Sequence, residues 1–184
     1  MKPSCRRVIV VEGKYDKIRL ESCLDATVLT TDGFRIFNDT EKRALLRRLA
    51  AERGLVILSD SDGAGALIRS HLHTLCGKEG VVDLYVPPVK GKERRKSGAS
   101  RAGLLGVEGI SCEVILSLFE KSGLLSDRPL PAPRYTKTDL YRLGYFGKDS
   151  SAQKRKAFLS ENRLPAELSS NAFLEIVNLL EIDL

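Results

Sequence analysis

The chain of 184 residues is predicted to be an α/β protein, with a parallel four-stranded sheet flanked by helices and a small all-helical C-terminal domain. Three observations lead to this prediction. Short apolar runs alternate with helical patterns over residues 7–86, which is typical of βαβ units. A basic segment and a proline-containing segment follow. The remaining residues, 134–184, show helical patterns only.

The predicted strands are short apolar runs rich in valine, isoleucine and leucine. Each is bounded by glycine, proline or aspartate, as expected for buried strands of a parallel sheet. The four predicted strands are Arg7–Val11, Ala26–Thr30, Leu55–Leu58 and Val81–Val86.

The predicted helices follow from apolar residues spaced three and four apart. In the clearest case Thr40 is a plausible N-cap, Leu45, Leu46 and Leu49 lie on one side, and Gly54 ends the helix. The predicted helices are Tyr15–Leu24, Thr40–Arg53, Ala64–Cys76, Ser111–Lys121, Thr136–Leu143, Ser150–Asn162 and Pro165–Leu180.

The change in composition along the chain predicts two domains. Residues 1–124 form the first and include a basic loop at 87–103. Residues 125–133 form a linker, and residues 134–184 form the helical domain. The aromatic residues of the second domain are expected to form its core, and these are Tyr135, Tyr141, Tyr145, Phe146 and Phe158.

Overall charge and cysteine content narrow the functional classes. A net charge of +6 favours a polyanionic partner. No apolar stretch is long enough to span a membrane and no signal peptide is visible, so the expected compartment is the cytoplasm.

The cysteines are widely spread with no CxxC pair, so they are expected to be reduced thiols; they are Cys5, Cys23, Cys76 and Cys112.

The strongest candidate site is the turn that follows the third predicted strand. Asp60 and Asp62 stand two residues apart, so both carboxylates can face one site. Two carboxylates this close resist joint ionisation, and a hard divalent cation such as Mg²⁺ relieves the repulsion. The alternative is that one or both aspartates cap the helix that begins near Ala64.

Other predicted strands end in acidic residues as well. Glu12 directly follows the first strand and precedes Gly13, and Asp32 follows the second. Because ligands collect at the carboxyl ends of parallel strands, Glu12 is expected to join Asp60 and Asp62 around one or two divalent ions. Gly13 and Gly63 allow close approach of a phosphate.

Several motifs in the same order resemble the Toprim superfamily, and most closely its ribonuclease M5 family, the maturation enzymes of 5S ribosomal RNA. The likeness covers about residues 6–120. Its motifs are Val8–Asp16, Thr31-Asp32-Gly33, Asp60–Arg69 and Gly106-Val107-Glu108.

The resemblance implies a Toprim-like fold and hydrolysis of phosphodiester bonds in a double-stranded region of precursor 5S rRNA. It implies Mg²⁺, with Mn²⁺ as a substitute, held by Asp60, Asp62 and Glu12, and Glu12 is a metal ligand or general base. Asp16 and Glu108 are implied as further acids at the same edge. It also implies a ribosomal protein that presents the RNA.

Basic residues are expected to contact the RNA backbone, because lysine and arginine supply most nonspecific affinity for nucleic acids. The alternative for the basic loop is a solvated segment without a partner. The candidates are Lys14, Lys90, Lys92, Arg94, Arg95, Lys96 and Arg101. Two further functions stay open, namely a nuclease for DNA or another structured RNA, and a nucleic-acid-binding module without activity.

Overall fold

The computed structural model describes residues 2–60, 62–91 and 105–184. The chain forms two compact units. The first contains Met1–Asp39 and Leu49–Leu130, and the second contains Thr40–Arg48 and Pro131–Leu184. The early residues 40–48 therefore belong to the helical unit, which the order of the sequence does not indicate. Within the described residues no helix is both long and apolar enough to cross a membrane.

The first unit is built on a sheet of four parallel strands in the order β2-β1-β3-β4. The two central strands are almost fully buried, since each is covered on both faces. The predicted α/β fold with a four-stranded parallel sheet and a helical C-terminal region is confirmed. The strands are β1 (Ser4–Val11), β2 (Asp25–Thr30), β3 (Leu55–Ser59) and β4 (Val81–Tyr85).

Seven α-helices occupy the described residues, close to the predicted positions, except that the last begins later than predicted. Ser169 caps this helix by accepting a hydrogen bond from the Ala172 N–H, while the Ala166 N–H bonds to Glu41 Oε2 instead of entering a helix. The helices are α1 (Lys14–Cys23), α2 (Thr40–Glu52), α3 (Gly63–Cys76), α4 (Cys112–Lys121), α5 (Lys137–Arg142), α6 (Ser151–Glu161) and α7 (Ser170–Leu179).

The two faces of the sheet bury alternate residues of its strands. On one face Ile9, Val56 and Leu84 pack in a cluster that includes Phe119 of α4. On the other face Ser59 of β3 contacts Arg69 of α3. Burial of apolar side chains contributes about 25 cal/mol to folding for each Å² of apolar surface removed from water. Because both faces of the sheet are packed in this way, the strand ends are held in a rigid framework.

A disulfide joins Cys23, at the end of α1, to Cys112, at the start of α4. The expectation of four reduced cysteines is therefore wrong for this pair. Sequence spacing could not indicate the pairing because 89 residues separate the two positions, and only the packing of α1 beside α4 brings them together. Cys5 and Cys76 keep reduced thiols.

The segment after α4 is attached to the sheet at its start. Ser126 exchanges backbone hydrogen bonds with Ser4, at N···O distances of 2.9 and 3.1 Å. The Ser4 hydroxyl also donates to the Arg128 carbonyl. Part of the predicted linker at 125–133 is thus fixed on the first unit.

Aromatic residues form the core of the helical unit. Tyr145, Phe158 and Phe173 pack with ring centroids 5.3–5.4 Å apart. Phe173 was not among the predicted core aromatics, although it is fully buried. Tyr141 was predicted to lie in this core, but it is 56% exposed.

Candidate active site

The acidic residues predicted to act together lie at the carboxyl ends of β1 and β3. Glu12 directly follows β1, and Asp60 directly follows β3. These two strands are neighbours, with Val10 opposite Ile57, so their ends meet at one edge of the sheet. Asp62 is the N-cap residue of α3 at the same edge. We call Glu12, Asp16, Asp60, Asp62 and Glu108 the carboxylate edge.

Glu12 has the most perturbed carboxyl group of the edge. Burial, and then the negative charges of Asp60, Asp62 and Asp16, raise the pKa of Glu12 to about 7, while a hydrogen bond from the Asp60 backbone partly offsets this. Glu12 Oε1 is buried and has no hydrogen-bond partner among the described residues. A buried carboxylate oxygen of this kind is suited to bind a cation.

The backbone of Glu12 is held by the turn that follows β2. The Gly33 N–H and the Thr31 hydroxyl both donate to the Glu12 carbonyl, at 3.2 and 3.4 Å. Asp32 has a φ of 55° and accepts a hydrogen bond from the Thr30 hydroxyl. The Asp32 side chain is exposed. This third segment supports the backbone of Glu12 through Gly33 and Thr31.

Backbone N–H groups orient the two aspartates. The Val107 N–H donates to Asp60 Oδ1 at 3.0 Å, and the Gly65 N–H donates to Asp62 Oδ1 at 2.8 Å. The capping alternative is thus correct for Asp62, which does not prevent its other oxygen from facing a cation. Each bond fixes a carboxylate without neutralising it, so the repulsion at the edge persists.

Asp16 extends the edge from the first turn of α1. It accepts hydrogen bonds from the Gly13 N–H, at 3.0 Å, and from the Glu108 backbone. Burial and the charges of Asp60 and Glu108 outweigh these bonds and raise the pKa of Asp16 to about 6. The structure therefore brings both predicted further acids, Asp16 and Glu108, next to the first three.

Gly65 is the glycine on which the geometry of the edge depends. A Cβ at this position would overlap the Asp60 carbonyl oxygen and lie 3.0 Å from Glu12 Oε1. At Gly63 the same atom would meet nothing within 4 Å. Only hydrogen at position 65 allows α3 to begin this close to both acids.

The predicted phosphate-contacting residues fall in different places. Lys14 is exposed at the start of α1, and Gly63 is exposed at the start of α3. The Gly13 N–H is occupied by Asp16. Lys90 is exposed beyond β4, whereas the other basic candidates, Lys92, Arg94, Arg95, Lys96 and Arg101, lie outside the described residues.

The donor set of the edge suits a hard cation. Carboxylate oxygens are the ligands preferred by Mg²⁺, which keeps several waters and needs only one or two carboxylates from a protein. Within residues 2–60, 62–91 and 105–184, no three acidic, histidine or cysteine side chains are arranged as a complete ligand set. The buried Glu12 oxygen and the mutual repulsion fit an open, water-rich site, not a closed cage.

Sequence reasoning missed the groups that position the acids. The Gly33, Val107 and Gly65 N–H groups and the Thr31 hydroxyl were not assigned to them. All four residues lie in the motifs that carry the family resemblance. Membership of those motifs was the one sign in the sequence that they matter for the site. Their partners are separated in sequence, so only the fold shows what these motifs do.

The comparisons with known proteins agree on one family. The chain is 27% identical over 177 residues to Ribonuclease M5 of Borreliella burgdorferi, covering 96% of this chain and 88% of the relative. It is 32% identical over 162 residues to Ribonuclease M5 of Fusobacterium nucleatum, covering 88% and 81%. It is 30% identical over 115 residues to Ribonuclease M5 of Bacillus subtilis, covering 62% and 56%. No protein-family model matches the chain.

Replacing Glu12 by glutamine should stabilise the protein at high pH when divalent ions are absent. The carboxyl group ionises near 4.5 in the unfolded chain and near 7 in the folded one. The unfolded chain therefore loses this proton at a lower pH than the folded protein does. As a result, the free energy of unfolding falls as the pH rises through this window. Glutamine cannot ionise, so Glu12→Gln should melt higher than the unaltered protein at about pH 8 and equally at about pH 4.

Thermal unfolding in a chelating buffer measures this difference, and Mg²⁺ should then raise the melting temperature of the unaltered protein more than that of the variant. An equal gain at both pH values would mean that glutamine simply packs better, and the electrostatic explanation would be wrong.

A pair of alanine substitutions should separate the roles of two neighbouring glycines. Gly65→Ala should destabilise the protein by about 1–3 kcal/mol, because the added methyl group overlaps the Asp60 carbonyl. Gly63→Ala, the matched control, should be neutral or stabilising by up to about 1 kcal/mol, since alanine favours a helix. Chemical denaturation measures both, and equal values for the two variants would contradict the close approach at Gly65.

Proposed function

The chain belongs to the ribonuclease M5 family, and from this premise we propose that it is a metal-dependent endoribonuclease whose active site is the carboxylate edge. Its substrate is a double-stranded region of precursor 5S rRNA, which it cuts during rRNA maturation in the cytoplasm. A ribosomal protein presents the RNA to it. The family membership supports the ribonuclease activity, and the site described above supports the chemistry.

The observation that carries the proposal is the concentration of negative charge around Glu12. Burial and then the charges of three other carboxylates raise its pKa, and its own buried oxygen lacks a partner among the described residues. Without a cation this arrangement destabilises the folded protein, so a purely structural role does not explain it. Glu12, Asp60 and Asp62 would hold Mg²⁺, for which Mn²⁺ can substitute.

The bound cation would stabilise negative charge on the phosphodiester and favour ionisation of a water. The role of the chain is to position the phosphate and move a proton. Glu12 has one of two roles. As a ligand it would be ionised by the cation, and as a general base it would keep the pKa of about 7 found without metal and accept a proton near neutral pH. The hydrogen bonds from Val107 and Gly65 keep Asp60 and Asp62 oriented throughout.

Two features support a nucleic acid as the polymer that is bound. The chain carries a net charge of +6 although its proposed active site is acidic, so its excess of basic groups lies elsewhere. Lys14 and Lys90 are exposed beyond β1 and β4. Together with the basic candidates at 92–101 they provide charges for the backbone of a duplex, which is recognised mainly by shape.

The direct test is incubation of the purified protein with labelled precursor 5S rRNA, with and without Mg²⁺, beside a DNA duplex. We expect cuts in the RNA only, and only with the metal. Asp60→Asn and Glu12→Gln should each slow cleavage roughly a hundredfold or more, because they remove ligands rather than supporting groups. Binding of the RNA, measured by filter retention, should change little.

Asp32→Asn is the matched control, because Asp32 is an exposed carboxylate that lies two residues beyond the end of the adjacent strand β2. Asparagine tolerates the positive φ found there, so cleavage should be unaffected. Cleavage of the DNA duplex would favour a DNA nuclease. Binding without any cleavage, unaffected by a chelator, would favour a binding module and contradict the proposed mechanism.

A further inference from the structure

Tyr85 is an exposed aromatic residue beside the carboxylate edge. It is the last residue of β4 and lies opposite Ser59, which directly precedes Asp60. Its side chain is 51% exposed. The other large exposed apolar side chains among the described residues lie on helices, and they are Tyr15, Ile18, Leu67 and Tyr141.

Arg69 of α3 holds the ring of Tyr85 in place. The guanidinium carbon lies 3.8 Å from the centroid of the ring. Arg69 is itself only 9% exposed and donates a hydrogen bond to the buried Ser59 hydroxyl. Its Nε lies 3.6 Å from Asp83 Oδ1. The arginine is thus fixed between β3 and β4, and the ring stacked on it is fixed in turn.

This arrangement prepares the ring for a planar ligand. One face of the ring is covered by the guanidinium, and half of the side chain stays in water. A pre-ordered aromatic ring loses little conformational entropy when a base stacks on it. Proteins take up unpaired bases in this way, on aromatic rings and arginine planes, and each such stack contributes measurably to affinity.

We propose that Tyr85 is a nucleobase-stacking residue, which takes up an unpaired base next to the phosphate that the carboxylate edge cuts. The inference rests on the proposed function, since it concerns the RNA bound at that same edge. It adds a specificity element, because a base inside a continuous duplex cannot reach the ring. Stems with an unpaired nucleotide beside the cut are then preferred over fully paired stems.

The chain contains no tryptophan, so a single introduced tryptophan is a fluorescent probe of its own position. Tyr85→Trp, in the inactive Asp60→Asn background, creates a protein with one indole at the proposed stacking position. We expect its fluorescence to be quenched when an RNA stem with one unpaired nucleotide binds. Tyr141→Trp is the matched control, an equally exposed ring in the helical unit, and should respond much less.

Kinetics of the active protein provide the second measurement. Tyr85→Leu should raise KM roughly five- to tenfold on the stem with the unpaired nucleotide, while Tyr85→Phe should not. Removing that base by an abasic substitution should raise KM similarly, and the two changes should not add, because they remove the same contact.

Four other results would overturn the inference. If RNA binds and is cut while the indole at position 85 does not respond, or if KM is unchanged in Tyr85→Leu, the ring is not a base contact and the proposed function stands. A loss of kcat and melting temperature with unchanged KM would mean that the ring only covers Arg69. If the unaltered protein neither binds nor cuts RNA, the proposed function fails as well.

Discussion

The main constraint on the first unit is the repulsion between carboxylates that the sheet brings to one edge. Adjacent parallel strands place Glu12 and Asp60 side by side, and α3 begins at Asp62 immediately after. Backbone N–H groups orient these side chains but leave the negative charge in place. Burial, together with that charge, raises the pKa of Glu12 to about 7. A fold stabilised by apolar packing elsewhere can tolerate this local cost.

The sequence was sufficient to predict the sheet and the acids, because both follow from local patterns. The run from Leu55 to Leu58 in β3 is apolar and buried throughout, which is expected only where both faces are covered. The parallel arrangement then required Glu12 and Asp60 to share an edge. The spacing of Asp60 and Asp62 indicated a shared site, although it could not show that Asp62 also caps α3.

The remaining features depend on contacts between distant residues, which no local pattern specifies. The Val107 N–H reaches Asp60 across 47 positions of sequence, and Cys23 pairs with Cys112 because α1 and α4 pack together. The stacking of Arg69 on Tyr85 arises between a helix and a neighbouring strand. The grouping of residues 40–48 with the helical unit is likewise a matter of packing.

The central claim is that the carboxylate edge holds a divalent cation when RNA is bound. The most direct measurement is anomalous X-ray diffraction at the wavelength where manganese absorbs. Crystals of the unaltered protein are grown with Mn²⁺ and an uncleavable RNA stem, and crystals of the Asp32→Asn control are grown in the same way. We expect an anomalous peak in direct contact with carboxylate oxygens of Glu12 and Asp60, with a phosphate oxygen beside it. RNA bound with no peak at the edge, or manganese found only elsewhere, would contradict it.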